Sequence, residues 1–275
     1  MRYFFALLLM IGAASIQAQI SIPTYVGARA TSMGGYYLTL QHTEALFGNI
    51  AGTAYAENFG AVVGAERRFS LVALQQVTAG ALVPTDLGAF GLTLNQSGNR
   101  DNAEQRVGLS YARKFTEGMS IGARFDYLRL DQNEYGSRGF LSAELGLQSE
   151  INREITVGMH WRFPFVESVP DQNLTILTSQ IGLGVHYQPG DRALLAISVE
   201  KQIDFPLRVR SGLEYTLTDE LIARVGIATG GSRSNVEYAF GIGWQFAEDF
   251  RLDLGTSRHS YLNWTPGLTL VYGDF

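Results

Sequence analysis

Most of this chain alternates with a period of two. From about residue 59 onward, apolar residues take turns with polar or small ones. Successive side chains of an extended strand point to opposite faces, so each alternating run has one apolar face and one polar face. Ile155, Val157, Met159, Trp161 and Phe163 are separated by Thr156, Gly158, His160 and Arg162. Tyr238, Phe240, Ile242, Trp244 and Phe246 are separated by Ala239, Gly241, Gly243 and Gln245. Ile121, Ala123, Phe125 and Tyr127 behave alike, as do Ile181 to Tyr187 and Phe250 to Leu254. Soluble sheets also alternate, but their strands average about five or six residues. Several runs here reach about nine to eleven, the length of a tilted strand that crosses a bilayer. Their apolar faces often end in Tyr, Trp or Phe, side chains that favour the membrane–water interface.

The connections carry the same message. The alternation divides into about fourteen strands, near 59–66, 71–82, 86–95, 105–115, 119–130, 139–148, 154–163, 178–188, 193–201, 206–216, 220–229, 235–246, 249–256 and 264–272. Every second connection reads as tight: Pro84-Thr85, Thr116-Glu117-Gly118, Asn152-Arg153, Pro189-Gly190-Asp191, Thr218-Asp219 and Glu248-Asp249. Most of the others read as longer and polar, as in Gln96 to Ala103, Asp131 to Arg138, Phe165 to Thr175, Gly230 to Ser234 and Ser257 to Asn263. Bacterial membrane barrels have short periplasmic turns, longer outside loops and an even strand number. The expected fold class is therefore all-β: a transmembrane antiparallel up-and-down barrel at residues 59–275, with both termini in the periplasm and lipid as its surroundings.

The first residues read as an export signal. Met1-Arg2 is a short positive start, Phe4 to Ala14 is an apolar run too short to span a bilayer, and Ala18 offers a small residue for cleavage. Residues 1–18 are expected to be a signal peptide, and the chain to reside in the outer membrane of a Gram-negative cell. With no Cys there is no disulfide or thiol chemistry. A formal charge of −5 without a basic block excludes an obvious nucleic-acid partner. Near the end, Gly267, Leu270 and Tyr272 fill the slots of the signal by which barrel-assembly machinery recognises a final strand. Gly273-Asp274-Phe275 then form a short overhang, or Phe275 is itself the terminal aromatic.

Residues 19–58 lack the alternation. They contain Gly27-Ala28-Arg29-Ala30-Thr31-Ser32-Met33-Gly34-Gly35-Tyr36 and then Glu44-Ala45-Leu46-Phe47-Gly48-Asn49-Ile50-Ala51-Gly52. This pair resembles the start of FadL-like outer-membrane barrels, especially the PorV/PorQ branch found in Bacteroidetes. There the start reads roughly G-A-R-A-x-x-M-G-G-A, followed by A-L-F-x-N-P-A-G. Ile50 stands where that pattern has Pro, and the acidic pair before the second motif is reduced to Glu44. The resemblance covers about 30 residues. It implies that 19–58 fold inside the barrel as a plug, with Gly27, Arg29, Met33, Gly34, Gly35, Phe47, Asn49 and Gly52 as its motif residues. It also implies either passive passage of hydrophobic or amphipathic small molecules, or an accessory role beside type IX secretion proteins. A structural outer-membrane protein without transport is the third alternative.

If the apolar faces meet lipid, the opposite faces line the lumen. Arg124, Asp126, Glu144, His160, Arg162, His186, Arg208, Arg210, Glu214, Arg224, Arg251 and Asp253 then point inward. Arg or Lys on the lipid face at mid-depth would cost roughly 2–4 kcal/mol. Both signs occur, so these residues are expected mainly as salt-bridged struts against the plug. A polar track attracting anions, centred on His160, Arg162, Arg208 and Arg210, is the functional alternative. The abundant inward glycines leave room for plug backbone or for substrate. No Ser-His-acid arrangement is readable, and His42, His160, His186 and His259 lack ligand spacing. No enzyme activity, metal or cofactor is expected.

Overall fold

The computed structural model describes residues 26–275 apart from 134–135, 166–167, 170–173, 176–178, 204 and 231, and gives no side chains for 168–169, 174–175 and 232–235. The expected signal peptide lies outside the described residues, as does the start of the 19–58 segment. The strands are β1 (Gly60–Arg67), β2 (Gln75–Thr85), β3 (Gly88–Gly98), β4 (Asn102–Thr116), β5 (Met119–Gln132), β6 (Gly136–Glu150) and β7 (Ile155–Pro164). After a small hairpin, β8 (Ser168–Val169) and β9 (Leu174–Thr175), come β10 (Gln180–Tyr187), β11 (Ala193–Gln202), β12 (Arg208–Thr216), β13 (Leu221–Gly230), β14 (Ser232–Ala247), β15 (Phe250–His259) and β16 (Trp264–Tyr272).

All but β8 and β9 form one closed antiparallel barrel, in which each strand pairs with its neighbours in sequence and β7 pairs with β10. Closure is made by β1 against β16, with Val63 opposite Leu270. A closed barrel leaves no unpaired edge, the condition for placing backbone amides in hydrocarbon.

The alternation decides which face is outside. On β14, Tyr238, Phe240, Ile242, Trp244 and Phe246 are each 46–52% exposed, while Ala239 between them is buried. On β7, Trp161 is exposed, whereas His160 and Arg162 are buried. A one-residue slip would exchange the two sets, so register and lipid-facing polarity are a single property.

The connections at the far end from the termini are shorter than the sequence reading expected, because the strands run on past the apolar belt. Gln96 to Gly98 belong to β3, and Asn102-Ala103 to β4. Asp131-Gln132 and Gly136 to Arg138 extend β5 and β6. Along β5 the polarity inverts: outward Phe125 and Tyr127 give way to outward Arg129 and Asp131, which pair at 3.0 Å. Inward Arg124 and Asp126 give way to buried Leu128 and Leu130. Such an inversion marks the level where the outer surface leaves lipid for water.

Two turns also differ. Pro84 and Thr85 stay in β2, opposite Ala89 and Gly88, so the turn is made by Asp86-Leu87. Residues 71–74, read as the start of a strand, include a 3-10 turn at Val72–Leu74. Just before them, Phe69 and Ser70 adopt φ of 54° and 60°. Those left-handed values break the extended chain, and β2 starts only at Gln75.

Candidate functional site

The N-terminal segment lies within the barrel. A short helix α1 (Ala28–Ser32) is followed by 3-10 helices His42–Phe47 and Ile50–Tyr55. Met33, Tyr36, Tyr37, Leu38, Ala45, Leu46, Ile50 and Ala51 are 0–1% exposed. Such irregular backbone needs partners for its amides and carbonyls, and the wall supplies them. Gln148 Nε2 donates to the carbonyls of Leu38 and Leu40 at 3.1 and 2.9 Å. Ser120 Oγ donates to the Ala51 carbonyl at 2.9 Å. The Ala28 N–H donates to Thr269 Oγ1 at 2.9 Å.

Close contact between segment and wall depends on inward glycines paired across strands: Gly122 with Gly146, Gly158 with Gly184, Gly212 with Gly226, and Gly241 with Gly255. A Cβ at Gly226 would lie 2.8 Å from Met33 Cα, and one at Gly122 2.8 Å from the Ala51 nitrogen. Around the barrel, Gly255 faces Ala28, Gly241 Ser32, Gly212 Met33, Gly184 Leu38 and Gly146 Asn49. The wall is stripped of side chains where the segment's backbone passes, in a collar that leaves no substrate-sized gap at those points. The segment's own Gly34, at φ +70°, turns against the backbone of Ile227, where a side chain would collide.

Six charged groups close a ring of ion pairs. Arg29 binds Glu214 through two bonds of 2.8 Å and Glu44 at 2.5 Å. Arg224 links Glu214 (2.5 Å) to Asp253 (2.6 Å). Arg251 links Asp253 (3.0 Å) to Glu44 (2.5 Å), completing the circuit. Three guanidiniums balance three carboxylates, which is how charge is kept in a poorly solvated interior. Two members, Arg29 and Glu44, belong to the N-terminal segment and four to the wall. Burial pushes the Glu44 carboxyl up, but Arg251 and Arg29 outweigh it and hold it at about 2. Burial likewise opposes the Arg29 charge, yet Glu214 and Glu44 hold its guanidinium above the ordinary arginine value.

The opposite wall carries a second network. Glu144 is paired with Arg124, with Arg162 at 2.5 Å and with His160 at 3.2 Å. Arg124 also reaches Asp126 at 3.2 Å and donates to the Leu46 carbonyl at 2.6 Å. Tyr37 Oη sits 3.4 Å from His160 Nδ1, and Thr39 Oγ1 sits 2.7 Å from His186 Nδ1. Arg210 pairs with Glu200 at 2.7 Å and donates to the Gly34 carbonyl at 3.1 Å. Arg208 stands apart near the far end, half-exposed and 3.8 Å from Glu237. The residues read as an anion track are therefore divided, His160, Arg162 and Arg210 being tied to carboxylates.

The remaining motif residues have structural places. Gly27 precedes α1 at φ +118°. Phe47 joins a core with Leu46, Val62, Leu82 and Val271. Asn49 donates to the carbonyls of Leu38 (2.8 Å) and Leu147 (3.1 Å). Gly52 packs against Leu40 and Gln148 without room for a side chain.

Sequence reasoning missed Glu200 and Gln148. Both occupy inward positions of their alternating strands, so the register contained the signal. It also missed inward Leu128, Leu130 and Phe140, because an apolar inward residue breaks the expected pattern.

A cavity of about 10 Å³ remains beside Val26, Gly27 and Ala28, room for about one water. A larger concavity, about 510 Å³, lies on the outer wall among Val157, Met159, Leu183, Ile197 and Val199. Among the described residues, no three histidine or carboxylate side chains converge as a metal site.

No protein-family model matches the chain, and no curated protein matches its sequence. Solved structures match its fold. The CymD monoaromatic hydrocarbon channel aligns over 93% of this chain and 99% of its own, at 12% identity and a TM-score of 0.71. The Pseudomonas putida toluene transporter TodX aligns over 92% and 98%, at 12% identity and 0.68. A Pseudomonas aeruginosa FadL homologue aligns over 93% and 100%, at 14% identity and 0.68. At such identities the likeness is one of fold, and the fold is that of FadL-type barrels.

Proposed function

We propose that this chain is an outer-membrane channel through which hydrophobic or amphipathic small molecules pass without energy input, and that the plugged lumen is its closed state. The observation that carries the reading is an N-terminal segment seated within a fourteen-strand barrel whose fold is shared by a hydrocarbon channel and a toluene transporter. The apolar belt would hold the barrel in the membrane, and the 19–58 segment would act as the movable plug. Passage would require that segment to shift, since the inward glycines bring its backbone into direct contact with the wall.

The test is uptake of a small aromatic hydrocarbon into liposomes containing the purified barrel, with protein-free liposomes as reference. Faster uptake that saturates with concentration supports the channel. An uptake rate equal to that of the reference liposomes ends it.

A second reading, an accessory barrel in protein secretion, is favoured by the closed ring joining Arg29 and Glu44 to the wall. Under it, hydrocarbon uptake stays at the reference rate, and deletion of the gene impairs secretion of exported proteins.

A further inference from the structure

Strand β16 ends at Tyr272, but the chain then turns beneath the barrel mouth toward the N-terminal segment. Gly273 makes the turn at φ +98°, and its N–H donates to the Asp249 carbonyl at 3.0 Å. A side chain there would strike Phe59. The next residue, Asp274, is used almost completely. Its Oδ2 accepts from the backbone N–H groups of Glu57 and Asn58 at 2.7 and 2.8 Å, and its Oδ1 accepts from Asn58 Nδ2 at 2.9 Å. Its carbonyl lies 3.4 Å from the Thr43 N–H. Phe275 packs on the core containing Leu46, Phe47 and Ala56. The Arg251 guanidinium, a member of the ion-pair ring, lies 4.5 Å from the centre of its ring.

We infer that Gly273–Phe275 is a latch: a carboxylate clasp and an aromatic wedge that hold the exit of the N-terminal segment against the seam where β16 meets β1. An overhang serving solely as a strand terminus would need neither three bonds to one carboxylate nor an aromatic side chain tucked under the segment. The clasp joins residues more than 200 positions apart in sequence, so it forms only after the last strand has closed the barrel. Seating of the segment is thereby made conditional on closure. The latch does not depend on what, if anything, passes through the lumen.

The test uses the full chain folded in lipid vesicles, and native cysteines are absent. Thr43→Cys reports the latched end, and Met33→Cys, packed with Tyr36 and Ala196, reports the distant end. Asp274→Ala is expected to speed labelling of position 43 by a water-soluble maleimide at least tenfold, with position 33 unchanged. Asp274→Asn, which keeps one acceptor, should fall between. Phe275→Ala gives an independent arm with the same pattern. Unchanged labelling at position 43 in both variants overturns the latch. So does equal acceleration at both positions, or loss of the folded, heat-modifiable band, since either would mean that the tail holds the barrel and not the segment.

Discussion

The two ends of strand β5 use one alternation in opposite senses. Near the termini, β5 sends Arg124 and Asp126 into the lumen and Phe125 and Tyr127 outward. Further along it sends Leu128 and Leu130 inward and the Arg129–Asp131 pair outward. The backbone is continuous, so the difference lies in what surrounds each level. Where lipid covers the outside, charge is kept inside and neutralised by carboxylates and by the carbonyl of Leu46. Where water covers the outside, apolar Leu128, Leu130 and Phe140 turn inward, beside Arg106 and Glu104 of the neighbouring strand. A charged side chain in this wall therefore says little by itself, and its level in the membrane decides whether it is a buried strut or a solvated surface group.

The largest effect should come from breaking the buried side of that contrast. Arg224→Met removes one of three cations from a closed ring and leaves Glu214 and Asp253 undercompensated. Losing one partner of a buried network costs about 3–5 kcal/mol. The loss should appear as a lowered urea midpoint of the folded band. Arg224→Met combined with Asp253→Leu should recover part of it, because an apolar pair can replace a buried ion pair with little penalty. A double variant as weak as the single one would show that the ring is not an electrostatic unit.

The glycine collar should come next. Gly226→Ala places a methyl against Met33 and Gly34, and overpacking of this kind costs about 1–3 kcal/mol. Gly190→Ala, at a turn with nothing within 4 Å of the added methyl, carries only the penalty of its positive φ. If Gly226→Ala proved no more damaging than Gly190→Ala, close approach of the N-terminal segment would not explain the collar.

Acid should act through Glu44. Its folded value, about 2, lies below the ordinary 4.5, so its contribution to stability is complete above about pH 4.5 and is lost as pH falls toward 2. Comparing urea midpoints at pH 6 and pH 3 should show a smaller drop for Glu44→Gln than for the parent. Equal drops would place the acid sensitivity elsewhere. The smallest effect belongs to the solvated side: Arg129→Ala should leave the midpoint where it is, since an exposed pair is screened.

Much of the architecture is legible in the sequence. Val157, Met159 and Trp161 alternate with His160 and Arg162 because a strand repeats every two residues, and that repeat is local. Fourteen such runs joined by short turns leave few ways to bury backbone amides in lipid, so the closed barrel follows from period and length. Gly34 and Gly35 stand in the motif, and the structure gives both a left-handed φ, of 70° and 81°, that favours glycine.

Other features were decided only by tertiary structure. Arg29, Glu44, Glu214, Arg224, Arg251 and Asp253 are scattered over more than 200 positions, and no spacing rule pairs them. They meet because barrel closure brings β12, β13 and β15 around a segment that arrives from the other end of the chain. The strand ends were also out of reach, because the inversion along β5 depends on where lipid stops and not on any property of Leu128 or Arg129. Residues 273–275 read as a short overhang, or Phe275 as a terminal aromatic, for the same reason: Asp274 acquires its partners at Glu57 and Asn58 only when β16 closes on β1.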